Sequence, residues 1–228
     1  MAILAFDTCL GALSVALRTR AANGDWLIRE AYEARQTGHA ERLMPMIAEV
    51  MAASGRAFSD IERFAVTVGP GTFTGVRVGV AAARAFALAT GRPVVGIDSL
   101  AVIAARGRTL LGADAASRAL LVAVDARRGA LYCALHGAPG TAETPALMTA
   151  EDAAALARSH DALVIGSGAP LVAETVGPAI ETALHVIEPH ARFLAQLAAE
   201  RPPSGKISPL YLRAPDVKPQ PQPIARVP

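Results

Sequence analysis

Two cysteines, Cys9 and Cys133, and two lysines, Lys206 and Lys218, are all that this 228-residue chain carries of either type. Two cysteines make neither a disulfide framework nor a zinc quartet. The five histidines are scattered and never form an HxxxH pair, which excludes a helical di-histidine metal site. No GxSxG nucleophile elbow is present. The longest apolar stretches are broken by Arg77, Arg84 or Asp98, short of the roughly 20 residues a membrane span needs. No basic-then-apolar leader precedes the first strand-like segment, so the expectation is a soluble, cytoplasmic protein without membrane partners. Charge of one sign is also lacking: 22 Lys+Arg stand against 20 Asp+Glu, for a net charge of +2. A protein that coats nucleic acid needs clustered positive charge, and this balance does not supply it. What is abundant is apolar material, 52% of residues against 18% charged. That is enough for one large domain or two lobes of roughly 100 residues each.

The chain opens with the apolar run AILAFD, then LSVALR at 13–18 and WLIREAY at 26–32, the last two separated by the turn signal NGD. Three short strands joined by tight turns predict an antiparallel meander. The period then changes: Leu43, Ile47 and Val50 recur at helical spacing, predicting a helix over 40–54 closed by Gly55. Ser59 with Glu62 makes a capping-box pattern. A buried strand at 63–68, a helix at 76–90 ended by Gly91, a strand at 94–97 and a helix capped by Ser99 complete the first lobe, 1–106. A weaker version of the same order follows in a smaller second lobe, 107–189. It comprises a hairpin of 120–125 and 131–136, a helix at 150–158, a strand at 163–165 and the turn GSG. A final helix, within 190–213, packs back on the first lobe. The five prolines of 214–228 predict a disordered tail. The repeated order predicts a duplicated α/β fold.

The loop GPGTFTG at 69–75 is the strongest local signal for chemistry. Its glycines let backbone amides approach an anion ahead of a helix N-terminus. Gly69, Gly71, Thr72 and Gly75, with Asp7 and Thr8 at the end of the first strand, are therefore candidate phosphate-facing residues. Val76-Arg77 stands where a Walker A loop needs Lys-Ser/Thr. The same glycines serve equally as a tight strand-to-helix turn, and Asp7 equally as a turn residue. His39 and Glu41 stand two apart, on different helical faces, and make no convincing acid–base pair. Cys9 has no identifiable partner and reads as a small buried hydrophobe. No catalytic residue and no metal ligand emerges.

Residues 76–90 are apolar all round except for Arg77 and Arg84, seven apart and on one face. A helix of that kind is buried on both sides, by its own second lobe or by another subunit. Leu43, Met46, Ile47 and Val50 of the preceding helix, with Arg77, Val80, Ala81 and Arg84, are the candidate partner surface. The alanines allow close helix approach.

Together, ILAFDT at 3–8, GHAERLMPMI at 38–47, VGPGTFTGVRVGVAAARAFA at 68–87 and PVVGIDSLAVIA at 93–104 resemble the TsaB family. The resemblance continues through VAVDARRGALY at 122–132 and SPLYLR at 208–213. It implies an actin-like ATPase (ASKHA, ribonuclease H-like) fold with two lobes, each a mixed sheet with flanking helices. It further implies a non-catalytic subunit that pairs with TsaD, the paralogue that transfers threonylcarbamoyl to the adenosine beside the anticodon in tRNA. TsaD's metal-binding HxxxH has no counterpart in IDSLAVIA at 97–104. On this reading the chain binds no cofactor, and the complex uses ATP and metal through other subunits. A homodimer forms in isolation, TsaE docks on the heterodimer, and tRNA is met only indirectly. An ATP-binding phosphotransferase is the alternative. A glycopeptidase-like metalloenzyme fails for want of ligands.

Overall fold

Side chains alternate along β1 (Ile3–Asp7): Leu4 and Phe6 point to one face of the sheet, Ile3 and Ala5 to the other. Both faces are apolar, so this strand must lie between two layers. The computed structural model describes residues 1–113, 117–138, 140, 143–176, 180–183, 186 and 188–213. In it β1 pairs antiparallel with β2 (Ala12–Arg20), which pairs antiparallel with β3 (Trp26–Ala34). On its other side β1 runs parallel to β4 (Arg63–Thr67), and β4 to β5 (Val94–Ile97), in the order β3-β2-β1-β4-β5.

Helices α1 (His39–Ser54) and α2 (Phe73–Thr90) cover one face of this sheet. Leu43, Met46, Ile47 and Val50 of α1 and Val76, Val80 and Ala83 of α2 pack on Leu4, Phe6, Phe64 and Val66. Gly55, left-handed at φ 65°, ends α1 with its amide on the Ala52 carbonyl. The other face carries α3 (Ser99–Leu111) and α6 (Ala191–Glu200), through Ala101, Val102, Leu194 and Ala198.

The second sheet is built alike. β6 (Leu120–Asp125) pairs antiparallel with β7 (Ala130–His136), and β7 with β8 (Ala146–Thr149). β6 runs parallel to β9 (Leu163–Ile165), and β9 to β10 (Thr182–Ala183). Helices α4 (Ala150–Ser159) and α5 (Ala169–Val176) cover its outer face. Its inner face meets α3, whose Leu100, Ile103 and Ala104 pack on Leu120, Val122 and Ile165. Both sheets have one strand order and one pattern of parallel and antiparallel pairs. This is the ribonuclease H-like arrangement used twice, an actin-like two-lobed α/β fold.

Three local expectations are corrected. Helix α3 is capped by Asp98, which accepts from the Ala101 amide at 2.8 Å, not by Ser99, which lies inside the helix with its hydroxyl on the Pro70 carbonyl. The capping partner at 57–60 is Asp60, since Glu62 accepts instead from the Ala2 amide at 2.6 Å. A lobe boundary after residue 106 would cut α3, one continuous helix shared by both sheets. The proline-rich segment 214–228 lies outside the described residues.

Candidate functional site

Helix α2 begins one turn earlier than its apolar period suggested, because Thr72 caps it by accepting from the Gly75 amide at 3.2 Å. That first turn lies directly against the end of β1. The Thr72 amide donates to the Cys9 carbonyl at 2.7 Å, and the Thr8 hydroxyl donates to the Gly75 carbonyl at 2.6 Å. A Cβ at Gly71 would run into the Cys9 carbonyl, and one at Gly75 into the Thr8 carbonyl. At Gly79 it would stand 2.7 Å from the Thr8 hydroxyl. Gly69, at φ 101°, leaves room for the Leu210 carbonyl, which a Cβ would meet at 2.8 Å. The glycines thus admit the chain's own backbone. This corrects the reading of Asp7, Thr8, Gly69, Gly71, Thr72 and Gly75 as an open phosphate cradle: Thr8 and Cys9 fill the space, and the Thr72 hydroxyl is spent on the helix.

Asp7 is fully buried. Its Oδ1 accepts from the Thr67 hydroxyl and from the Cys9 amide at 3.2 Å, while Oδ2 has no partner among the described residues. Burial raises its pKa to about 6, against the lowering effect of those hydrogen bonds. Glu188, on the segment leading into α6, accepts from the Gly11 amide at 3.1 Å. Burial, and then the nearby Asp7 charge, raise it to about 7. The Arg106 guanidinium of α3 opposes that rise and donates to the Glu188 carbonyl at 2.8 Å. The Cys9 thiol is buried and pushed well above its ordinary value by desolvation, so it is no nucleophile. Sequence reasoning missed Glu188, which carries no local motif and comes near Asp7 only through the fold, and Arg106, which holds the Glu188 carbonyl.

The corresponding place in the second lobe differs. Asp125 ends β6 and is exposed, accepting from the Arg127 amide at 2.7 Å. The Ser167 hydroxyl accepts from the Asp125 amide at 3.1 Å, and the Gly168 amide donates to the Ala123 carbonyl at 2.9 Å. Among the described residues no group of three His, Cys, Asp or Glu is arranged to hold a metal ion.

The candidate partner residues are also placed differently from the expectation. Leu43, Met46, Ile47, Val50 and Val80 are buried in the chain's own core, because the sheet takes the most apolar stripe of each helix. The outward stripe is different: Met44, Ala48 and Ala52 on α1, and Ala81, Ala85 and Leu88 on α2. Leu88 is 90% exposed and Met44 53%. Of the expected residues Ala81, Arg77 and Arg84 stay on the surface. Both guanidiniums are held by the chain itself, Arg77 on the Tyr211 hydroxyl at 2.8 Å and Arg84 on the Ile207 carbonyl. By length and composition α2 is apolar enough to cross a membrane, but Val76, Val80 and Ala83 seat it on the sheet.

A family model described as TsaD, tRNA N6-adenosine threonylcarbamoyltransferase, matches residues 33–155, just over half the chain. The tRNA threonylcarbamoyladenosine biosynthesis protein TsaB of Escherichia coli is 36% identical over 134 residues, 59% of this chain and 54% of that protein. The crystal structure of YeaZ from Pseudomonas aeruginosa, YeaZ being TsaB, superposes with a TM-score of 0.77 at 30% identity, over 92% of this chain and 99% of that one. The chain belongs to the TsaB family. A Mycobacterium bovis protein of no described function is 34% identical over 95% of this chain and 94% of its own length. The chain therefore spans about half of the curated TsaB proteins it matches, and nearly all of the YeaZ fold.

Proposed function

We propose that this TsaB-family chain is a non-catalytic subunit of tRNA threonylcarbamoyladenosine biosynthesis, acting in the cytoplasm by pairing with a TsaD-type paralogue. The observation that carries it is the outward stripe of α1 and α2. A leucine left 90% exposed among the alanines of α2, with a half-exposed methionine on α1, leaves apolar surface for another helix pair. Alanine lets two backbones approach closely, and Met44 adapts to what it meets. A paralogue of the same architecture presents the matching face, so a homodimer and the heterodimer compete for one surface.

The filled glycine joint supports the non-catalytic reading. With Thr8 and Cys9 packed on its glycines, the 69–75 loop serves the chain's own backbone rather than a phosphotransferase clamp, and the complex draws on ATP and metal through other subunits, TsaE docking on the pair. Size-exclusion chromatography with light scattering tests the pairing. Leu88→Glu should fold, remain monomeric and lose the TsaD-type partner, because association would bury an unpaired carboxylate at a cost of several kcal/mol. A Leu88→Glu chain that still pairs with normal affinity overturns the reading. Val80→Glu, placed in the core, should misfold instead.

A further inference from the structure

We propose that a second surface, where the start of α2, residues 211–213 and the β6–β7 turn meet, contacts RNA directly. Resting on the tRNA-modification reading above, it replaces the expectation that tRNA is met only through other subunits. Aromatic residues are only 4% of the chain, yet Phe73 and Tyr211 stand 40% and 42% exposed with ring centroids 5.5 Å apart. The Arg77 guanidinium lies 3.5 Å from the Phe73 ring centre and its Nε donates to the Tyr211 hydroxyl at 2.8 Å. Three side chains are thus held as a solvent-facing platform that the core does not need.

Two residues on, at most about 7 Å along an extended chain, Arg213 donates to the Ala126 carbonyl at 2.9 Å and to the Arg127 carbonyl at 3.4 Å. It ties the platform to the β6–β7 turn. That turn runs through three successive left-handed residues, Arg127 at φ 63°, Arg128 at φ 56° and Gly129 at φ 73°. Such a turn favours asparagine and glycine. Two exposed arginines occupy these left-handed positions, against the backbone preference. Arg127, Arg128 and Arg213 meet at this turn, with Arg77 on the aromatic platform beside it and Asp125 bound to the Arg127 amide. The overall charge of +2 hides this local concentration.

The chemistry fits RNA better than an acidic protein segment. Arginines on a tight turn meet phosphates, while exposed rings backed by a guanidinium stack on unpaired bases. A run of acidic side chains uses only the charge.

The test is fluorescence anisotropy with an unmodified tRNA transcript, over a series of salt concentrations, on the chain alone and on its complex with the TsaD-type partner. The double variant Arg127→Gly/Arg128→Gly suits the left-handed turn and should fold as well as the parent or better. It should bind tRNA about tenfold or more weakly, and the slope of log affinity against log salt should fall by about one per arginine. Tyr211→Ala with Phe73→Leu should weaken binding while leaving that slope in place. Partner affinity, read by light scattering, should not change in either. Unchanged tRNA affinity and slope in the double glycine variant overturn the proposal. So does a loss of partner affinity in its place, or equal binding of poly-glutamate. If the chain fails to pair with the TsaD-type partner at all, the subunit reading falls, while the affinity of the chain alone still decides the RNA contact.

Discussion

The two lobes share a strand order, a pattern of strand directions and the placement of the helices that follow, yet their central strands end in different chemistry. Asp7 closes β1 inside the protein, with one oxygen unpartnered and its pKa raised to about 6. Asp125 closes β6 at the surface, holding a turn amide. Their cores differ in kind as well. The first packs Phe6, Phe58 and Phe64 around Phe86 at centroid distances of 5.2–5.9 Å. The second is built largely from alanines, Ala123, Ala153, Ala154, Ala157 and Ala169 among them. Helix α6, which follows the second sheet in the chain, packs on the first. The first lobe thus gains a helix and bulk, and the second is left thin. Topology was kept through the duplication, while burial decided what each equivalent carboxylate can do.

The largest effect expected from breaking this contrast lies at the strand-to-helix joints. Gly75→Ala forces a methyl into the Thr8 backbone carbonyl and should cost more than about 3 kcal/mol. The Thr8 carbonyl is backbone and cannot yield, and the Thr72 hydroxyl at 2.6 Å crowds the same methyl. Gly168→Ala, at the second lobe's joint, meets the Leu131 Cδ2 at 2.7 Å, the movable end of a side chain, and the Ala123 backbone carbonyl only at 3.2 Å. About 1 kcal/mol is expected there. Urea unfolding of both variants reads the difference, and equal costs would mean that the two joints are built alike.

That joint also shows what was legible in the sequence. The loop at 69–75 was visible because glycines at fixed spacing always mean close approach. What approaches them was not, since Thr8 and Cys9 lie some 60 residues away and reach the loop only through the pairing of β1 with β4. Strands β1 to β7 and helices α1, α2 and α4 followed from period and turn signals, nearly to the residue. β8, α5 and β10 were missed: they span 4, 8 and 2 residues, and β8 and β10 lack the Val/Ile run that marked the equally short β5 and β9. The interface residues were misplaced for a definite reason. Apolar period identifies the stripe that is buried most, and in a helix lying on a sheet that stripe belongs to the sheet. The outward alanines and Leu88 look unremarkable in sequence and stand out only once Val80 is seen beneath them. Phe73, Tyr211 and Arg213 carried no joint signal, being brought together across 138 positions or more of intervening fold by β5, α3 and the whole second lobe.

The next effect is in the dependence on pH. A carboxyl raised on folding contributes stability that is complete below its unfolded pKa, near 3.8 for Asp7, and is lost as pH rises through its folded value of about 6. At 1.36 kcal/mol per pKa unit the loss amounts to about 2 to 3 kcal/mol. Glu188 adds a loss that runs from its unfolded pKa of 4.5 up to about 7, smaller per unit because it is partly exposed. Asp7→Asn keeps an acceptor for the Thr67 hydroxyl and the Cys9 amide but no longer titrates. Its stability should decline less between pH 4 and 6 than the parent's, keeping only the part that Glu188 contributes. The Glu188 step should also move to lower pH once its charged neighbour is gone. Thermal melts across this range check both. Asp125→Ala, by contrast, removes one exposed hydrogen bond and should cost less than about 1 kcal/mol. A parent that is no less stable at pH 8 than at pH 4 would show that Asp7 is not the isolated buried carboxyl its surroundings imply.

The smallest effects separate the lobes most finely. Thr149 caps α4 through the Asp152 amide at 3.1 Å, at the rim of the second lobe. Asp98 caps α3 through the Ala101 amide at 2.8 Å, and α3 is packed by both sheets. Removing either cap strands helix-terminal amides and costs on the order of 1 kcal/mol. What should differ is where the loss is felt. Fraying of α4 loosens Ala153, Ala154, Ala157 and Leu156, which pack only on the second-lobe cluster, so Thr149→Ala should speed amide hydrogen exchange in β6, β7 and β9 and leave β1 and β4 as they were. Fraying of α3 loosens Leu100 and Ala101 together, one facing each sheet. Asp98→Ala should then accelerate exchange in β1, β4 and β6 alike. If Asp98→Ala perturbed the second lobe alone, α3 would be an element of that lobe resting on the first. Acceleration in both sheets makes it the element that couples them.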